Sequence, residues 1–278
     1  PYGTWVIREI ESPTGFVLSE EEIVVTVGKV DEVVEIELVN YFIKGNIELT
    51  KVDTDYPDNK LTGAVFEVYA DTNGNGEFDK DDELCGEMTE LEGGVYQMTE
   101  LRYGKYFVRE KTVPDGFVLD DGVYGVSIEE NGKTYTVENK AGVGFINDAQ
   151  KGSLKIVKTS SDGKVEGFSF RVTSADGYDQ TFKTDKNGEI FIEGLRIGEY
   201  TVSEVSDSAS AGYILPADKQ ATVKTDSTTI VEMHNEFRDT PKTGDDFNLG
   251  LWVSLAAASV IGAGVLGFVG FKKKKKED

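Results

Sequence analysis

The chain has 278 residues, with 51 Asp or Glu against 29 Lys or Arg, for a formal net charge of −22. Such acidity excludes nucleic acid as a partner, because that requires a basic footprint, and it implies a soluble surface that repels other acidic surfaces. A single cysteine, Cys85, excludes an internal disulfide framework, and a single histidine, His234, leaves too few parts for a Ser/His/Asp or Cys/His catalytic arrangement.

The length has room for two or three small domains, and an internal repeat divides it. The segments Gly3–Glu9, Gly104–Glu110 and Gly198–Glu204 share one pattern: a glycine, then an aromatic residue two positions on, then a glutamate at identical spacing. Each is followed by a Gly-aromatic turn, at Gly15-Phe16, Gly116-Phe117 and Gly212-Tyr213. Each unit is expected to close on a strand holding an asparagine: Asn40, Asn147 or Asn235. Two units also show a start, at Gly45-Asn46-Ile47-Glu48-Leu49-Thr50-Lys51 and at Gly152-Ser153-Leu154-Lys155-Ile156-Val157-Lys158. The first unit is expected to have lost its start upstream of Pro1. Short alternating runs between Gly, Asn and Asp turns, without a long 3.6-residue period, predict antiparallel β-sandwiches. The fold class expected is therefore all-β: a partial unit over 1–44, a complete one over 45–150 and another over 151–238. Cys85 is expected to be a small buried residue, and His234 an exposed strand residue.

Side chains two apart on a strand share a face. Lys51 therefore lies with Ile47 and Leu49, and Lys158 with Leu154 and Ile156. Glu110 lies with Tyr106 and Val108, Glu204 with Tyr200 and Val202, and Glu9 with Trp5 and Ile7. Asn147 follows Val143 and Phe145, Asn235 follows Val231 and Met233, and Asn40 follows Ile36 and Leu38. Each complete unit thus aims one Lys, one Glu and one Asn the way its apolar residues point, which is costly unless the three satisfy one another. A desolvated lysine becomes a neutral nucleophile, and a buried glutamate holds its proton at neutral pH. Such an acid can polarise the Asn carboxamide while the amine displaces ammonia, leaving a neutral amide between two strands. The alternative is that the residues sit at strand ends and turn into solvent as an ordinary polar pair.

In these features the units resemble the Cna B-type (SpaA-type, prealbumin-like) domains of Gram-positive adhesins and pilins. The resemblance implies autocatalytic Lys–Asn isopeptide bonds assisted by a glutamate. It assigns Lys51, Glu110 and Asn147 to the middle unit, and Lys158, Glu204 and Asn235 to the last. In the first unit it assigns Glu9 and Asn40, with a lysine expected upstream of Pro1.

The Lys-to-Glu separation is 59 residues in the middle unit (51 to 110) and 46 in the last (158 to 204). The surplus matches residues 71–83, Asp-Thr-Asn-Gly-Asn-Gly-Glu-Phe-Asp-Lys-Asp-Asp-Glu. Oxygen ligands at loop positions 1, 3, 5, 9 and 12, with Gly at position 6, fit an EF-hand-like Ca2+ loop. Asp71, Asn73, Asn75, Asp79 and Asp82 would supply side chains, and Glu77 its backbone carbonyl. The aspartate at position 12, where a bidentate Glu is usual, predicts modest affinity suited to extracellular calcium. A plain acidic turn is the alternative.

Thr240-Pro241-Lys242-Thr243-Gly244 precedes an almost wholly apolar run from Leu249 to Phe271, and five lysines, Lys272 to Lys276, follow it. As a helix at about 1.5 Å per residue, the run spans a hydrocarbon core of about 30 Å, with the basic tail cytoplasmic. Motif, spanning helix (249–271) and basic tail (272–278), in that order, resemble the sortase sorting signal of Gram-positive surface proteins. That resemblance implies cleavage between Thr243 and Gly244. It also implies transfer of Thr243 to an amine of a peptidoglycan precursor or of a pilin subunit. Thr240 stands where the family pattern has Leu. An ordinary single-pass anchor is the alternative.

Taken together, the expected function is a cell-wall-anchored stalk or minor (basal) pilin, passing through the membrane before sorting and presenting an upstream adhesive head. It is a sortase substrate and not an enzyme. The alternatives are an adhesin whose own domains bind a host protein or glycan, and the stalk of a surface hydrolase.

Overall fold

The computed structural model describes residues 2–238. The expected sorting motif Thr240–Gly244, the spanning helix over 249–271 and the basic tail over 272–278 lie outside the described residues. Among the described residues no helix is long and apolar enough to cross a membrane.

Strands β1 (Gly3–Arg8) and β2 (Glu22–Val27) form a two-stranded antiparallel ribbon. The middle unit follows. It comprises β3 (Lys44–Asp53), β4 (Val65–Ala70), β5 (Glu83–Glu87), β6 (Thr89–Glu90), β7 (Val95–Arg102), β8 (Gly104–Thr112), β9 (Val123–Ile128), β10 (Thr134–Thr136) and β11 (Phe145–Asn147). The last unit holds β12 (Lys151–Ser160), β13 (Ser169–Ser174), β14 (Asp179–Lys183), β15 (Glu189–Arg196), β16 (Gly198–Glu204), β17 (Tyr213–Ile214), β18 (Lys219–Val223) and β19 (Thr228–Phe237). The architecture is the all-β sandwich that the alternation predicts.

In the last unit one sheet runs β15-β12-β19-β17 and the other β14-β13-β16-β18. In the middle unit the sheets run β10-β3-β7-β6, with β11 also on β3, and β5-β4-β8-β9. Each unit buries its own apolar cluster between its sheets. Phe66, Tyr96 and Phe145 meet edge-on in the middle unit, while Phe168, Phe170, Tyr200 and Tyr213 occupy the last. Large side chains removed from water in this way stabilise by about 1.5–3 kcal/mol each.

The pairing that matters for the site is parallel. The first and last strands of a unit lie side by side, β12 with β19 in the last unit and β3 with β11 in the middle one. The middle unit's closing strand is broken, its two pieces β10 and β11 both adding to β3, whereas β19 runs unbroken for ten residues. The parallel register sets Phe145 opposite Lys51 and Met233 opposite Lys158. Each asparagine then lies two residues further along, on the same face as the lysine.

Units meet through an arginine in a repeated Leu-Arg-x-Gly turn. Arg196 donates to Asp53 at 2.7 Å and to Asp55 at 2.9 Å, and its guanidinium lies over Tyr56 at 4.8 Å. Lys151 adds an ion pair to Asp55 at 3.0 Å. One repeat earlier, Arg102 lies over Phe42 at 4.1 Å, and Phe42 stacks on Phe16. Guanidinium stacking combined with a fork to carboxylates restrains orientation as well as separation.

Three expectations are corrected here. Trp5, placed on a core face by its parity with Glu9, is 47% exposed, and Ile36 and Leu38 are exposed too. A two-stranded ribbon has no second sheet among the described residues to cover that face. Asn40 does not lie on a strand. In the complete units the equivalent segment is held by a parallel first strand, which the first unit lacks among the described residues. Cys85 is exposed, not buried, because β5 is an edge strand whose residues are mostly exposed. His234 is exposed, as its parity predicts.

Candidate functional site

In the middle unit Lys51 arrives from β3, Glu110 from β8 and Asn147 from β11, and all three are buried. The Lys51 Nζ stands 3.6 Å from Glu110 Oε1, with both side chains fully inaccessible. The same Nζ donates to the Phe145 carbonyl at 3.2 Å and lies 5.0 Å from the centre of the Phe145 ring. The Asn147 Nδ2 donates to Glu110 Oε2 at 2.9 Å and to the Val118 carbonyl at 2.9 Å. The backbone N–H of Asp120 adds a further donor to Glu110 Oε2 at 3.0 Å. Burial lowers the Lys51 amine from 10.5 to about 8, against the opposing pull of Glu110 and Asp120. Glu110 Oε1 and the Asn147 carboxamide oxygen, both inaccessible, accept no hydrogen bond.

The last unit gathers Lys158 from β12, Glu204 from β16 and Asn235 from β19, again all buried. The Asn235 Nδ2 donates to Glu204 Oε1 at 2.6 Å, and Lys158 lies over the Phe168 ring at 4.4 Å. The Lys158 amine turns to the carbonyl of its neighbour Thr159 and makes no ion pair with Glu204. Burial pushes the Lys158 amine down and the Glu204 carboxyl up. Glu204 Oε2 and Asn235 Oδ1 have no partner.

In the first unit Asn40 Nδ2 donates to Glu9 Oε1 at 2.7 Å, and the Ser19 backbone N–H donates to Glu9 Oε2 at 2.8 Å. Glu and Asn thus meet in all three units; Lys51 joins them in the middle unit, whereas Lys158 is buried on the strand beside Asn235 without pairing with Glu204. The alternative of strand-end residues turned into solvent does not describe the complete units. Sequence parity could not supply Asp120, whose backbone N–H and nearby charge reach the Glu110–Lys51 pair from a loop.

Chemically, each complete site holds an amine that burial favours as neutral, beside a carboxyl group and a carboxamide with an unengaged carbonyl oxygen. In a dry core the neutral amine and carboxylic acid cost less than the separated ions. Burial of the three side chains keeps bulk water from the carboxamide carbon.

The inserted loop between β4 and β5 folds on its own oxygens. Asp71 accepts from Gly74 N–H at 2.7 Å and Gly76 N–H at 2.9 Å, and Asn73 and Asn75 accept from the N–H two residues on. The Asn73 and Asn75 amides donate to Asp79, and Asp82 Oδ2 accepts from the Asp79 N–H at 2.8 Å. Those donors, with the Asp81 N–H first, hold the Asp79 carboxyl below its usual range. Phe78 anchors the loop edge-on against Tyr69 and Phe107, and Lys105 donates to the Gly76 carbonyl at 2.6 Å. Among the described residues no three Asp, Glu, His or Cys side chains converge on a point, so a cation here would need the Asn73 and Asn75 oxygens and the Glu77 carbonyl as well. One observation fits such a cation: Asp82 Oδ1 is inaccessible and has no hydrogen-bond partner.

The family described as SpaA, prealbumin-like fold domain, matches residues 45–141 and again residues 152–237. No curated protein matches the chain. Among solved structures, the Bacillus anthracis TIE protein is 26% identical with a TM-score of 0.65, over 86% of this chain and 42% of that one. This chain therefore spans less than half the length of that relative. A streptococcal ancillary pilin is 19% identical over 86% of this chain and 76% of its own, with a TM-score of 0.31. The minor pilin GBS52 of Streptococcus agalactiae is 16% identical over 72% of this chain and 100% of its own, with a TM-score of 0.33.

Proposed function

The chain belongs to the SpaA family of prealbumin-like fold domains, and on that premise we propose that it is a covalently stiffened stalk of a Gram-positive surface protein or minor pilin. The observation that carries this reading is the burial, in both complete units, of a Lys on the first strand, an Asn on the last and a Glu from the facing sheet. In the middle unit the neutral Lys51 amine would attack the Asn147 carboxamide carbon. Glu110, as the acid, would lend a proton to the carboxamide oxygen and take one back from the attacking nitrogen. The Nζ–Cγ bond forms; Glu110 then gives the proton taken from Nζ to Nδ2 and takes back the one on the oxygen, so that the C=O bond is restored, the Cγ–Nδ2 bond breaks and Nδ2 leaves as ammonia. Lys158, Glu204 and Asn235 would repeat the reaction in the last unit. Each reaction occurs once, so the chain is not an enzyme. A bond between neighbouring parallel strands at opposite ends of a unit resists extension by shear and slows unfolding.

The sorting role rests on the sequence of the tail: Thr240, Pro241, Lys242, Thr243 and Gly244, then the apolar run and the lysines. A sortase would join Thr243 to a peptidoglycan precursor or a pilin subunit, leaving the stalk on the wall.

Intact mass spectrometry of recombinant residues 45–238 tests the crosslinks. The expected mass is short by one ammonia per complete unit, and Lys51→Ala and Lys158→Ala each restore one. A mass equal to the sequence value would overturn the reading.

The inserted loop would take one Ca2+ through Asp71, Asn73, Asn75, Asp79, Asp82 and the Glu77 carbonyl, stiffening the β4–β5 connection. The partnerless Asp82 oxygen favours this over a plain acidic turn. Titration calorimetry should then show one site with a Kd of roughly 10⁻⁴–10⁻³ M, typical of extracellular modules, abolished by Asp71→Ala. Absence of calcium-dependent heat would leave the loop as an acidic turn.

A further inference from the structure

The three glutamates sit in equivalent places but do not accept the same hydrogen bonds. Counted from the Gly-aromatic turn, the residue four after the glycine is Ser19 in the first unit, Asp120 in the middle and Pro216 in the last. The Ser19 N–H donates to Glu9 at 2.8 Å and the Asp120 N–H to Glu110 at 3.0 Å. Pro216 has no N–H to donate. Glu204 accordingly accepts from Asn235 alone, and its second oxygen is buried and unpartnered. The turn is in register in all three units, because Phe16 bridges Phe42, Phe117 bridges Ala149 and Tyr213 pairs with Phe237.

A backbone N–H aimed at a carboxyl oxygen favours the ionised form, so deleting it favours the neutral acid. We infer that Pro216 is a positioning residue of the last unit: by withholding the donor that Ser19 and Asp120 supply in the other units, it favours the neutral acid form of Glu204. The other charged groups near Glu204 are Lys158 from β12, which opposes this, and Asp207 in the loop after β16, which reinforces it. Around Glu110 the titratable neighbours are Lys51 at 3.6 Å, Asp120, whose N–H it accepts, and Tyr96. The inference rests on the crosslinking reading for its consequence. The last unit would form its bond at more alkaline pH than it would with that donor restored, because the acid that activates the carboxamide stays available.

The test uses the full chain carrying Lys158→Met, in which no last-unit bond can form, and follows the Glu204 side-chain carboxyl by 13C NMR titration. Pro216→Ser, which imports the first unit's residue, and Pro216→Ala both restore an N–H. Each should lower the Glu204 midpoint by about one pH unit or more, the scale of a single hydrogen bond to a charged group. An unchanged midpoint in both would overturn the inference. With Lys158 in place, chains synthesised in vitro across pH 6–9 and weighed intact give the second readout. The two substitutions should reduce last-unit ammonia loss at the alkaline end and leave middle-unit loss unaltered. Ammonia loss absent from every chain would refute the crosslinking reading alone, because the titration decides the proton affinity of Glu204 without it.

Discussion

Glu110→Ala should leave the middle unit both uncrosslinked and strongly destabilised. The substitution removes the acid that activates Asn147 and the countercharge of an amine with no access to water. Breaking a buried pair by removing one partner costs about 3–5 kcal/mol. The lost bond between Lys51 and Asn147 closes a loop of nearly the length for which the chain-entropy model gives about 4.7 kcal/mol. At about 4–8 °C per kcal/mol for a unit of this size, the melting midpoint should fall by well over 12 °C. Lys51→Met is the informative partner: it loses the bond and the buried amine together and leaves Glu110 with its Asn147 and Asp120 donors, so it should be clearly more stable than Glu110→Ala. The pH dependence has a definite sign. Burial already lowers the Lys51 amine to about 8, and removing Glu110 takes away the largest influence that raises it. Between that lowered value and the ordinary 10.5 the unfolded chain binds the additional proton, so stability rises with pH. The Glu110→Ala deficit should therefore shrink between pH 8 and 10, whereas Lys51→Met should show no such gain. Equal melting of the two variants at pH 7 would show that the lysine is not confined in the core.

Gly152→Ala should be the most damaging alanine substitution at a glycine of the last unit. A Cβ there would sit 2.1 Å from the Lys224 carbonyl oxygen and 3.0 Å from that of Ser227, both backbone atoms of the turn before β19. Relief requires that turn to retreat, which breaks the Ser153 N–H bond to Ser227 and the Asp226 N–H bond to Lys151. Overpacking costs about 1–3 kcal/mol, and each lost hydrogen bond about 0.5–1.5 kcal/mol more. The equivalent Gly45→Ala meets the Lys133 carbonyl at 2.8 Å, a smaller conflict, and should cost less. Chemical denaturation of both variants checks the order; a Gly45→Ala loss equal to or larger than that of Gly152→Ala would show that the turn yields freely. The damage should reach the site as well, because Gly152 opens the strand that carries Lys158.

Both predictions depend on how much of the site the linear chain encodes. Period-2 alternation decided which face of its strand each of Lys51, Glu110, Asn147, Lys158, Glu204 and Asn235 would take. Strand geometry leaves no other choice once the apolar neighbours are buried. The repeat likewise decided that three glutamates and three asparagines are equivalent, and the all-β class followed from the short runs between turns. Parity alone could not bury Trp5 or Cys85, because burial also needs a second layer: a facing sheet for Trp5, a covered edge for Cys85. Nor could it show that the first and last strands of a unit are parallel neighbours, since that pairing joins residues some 75–95 positions apart and leaves no local pattern. Only tertiary structure brought the Asp120 N–H to Glu110, set Arg196 between Asp53 and Asp55, and left Glu204 without the donor that Pro216 lacks. Composition and period act through each residue's own backbone and neighbours. Hydrogen bonds between distant loops depend on where the whole chain has placed them, and there the sequence alone is silent.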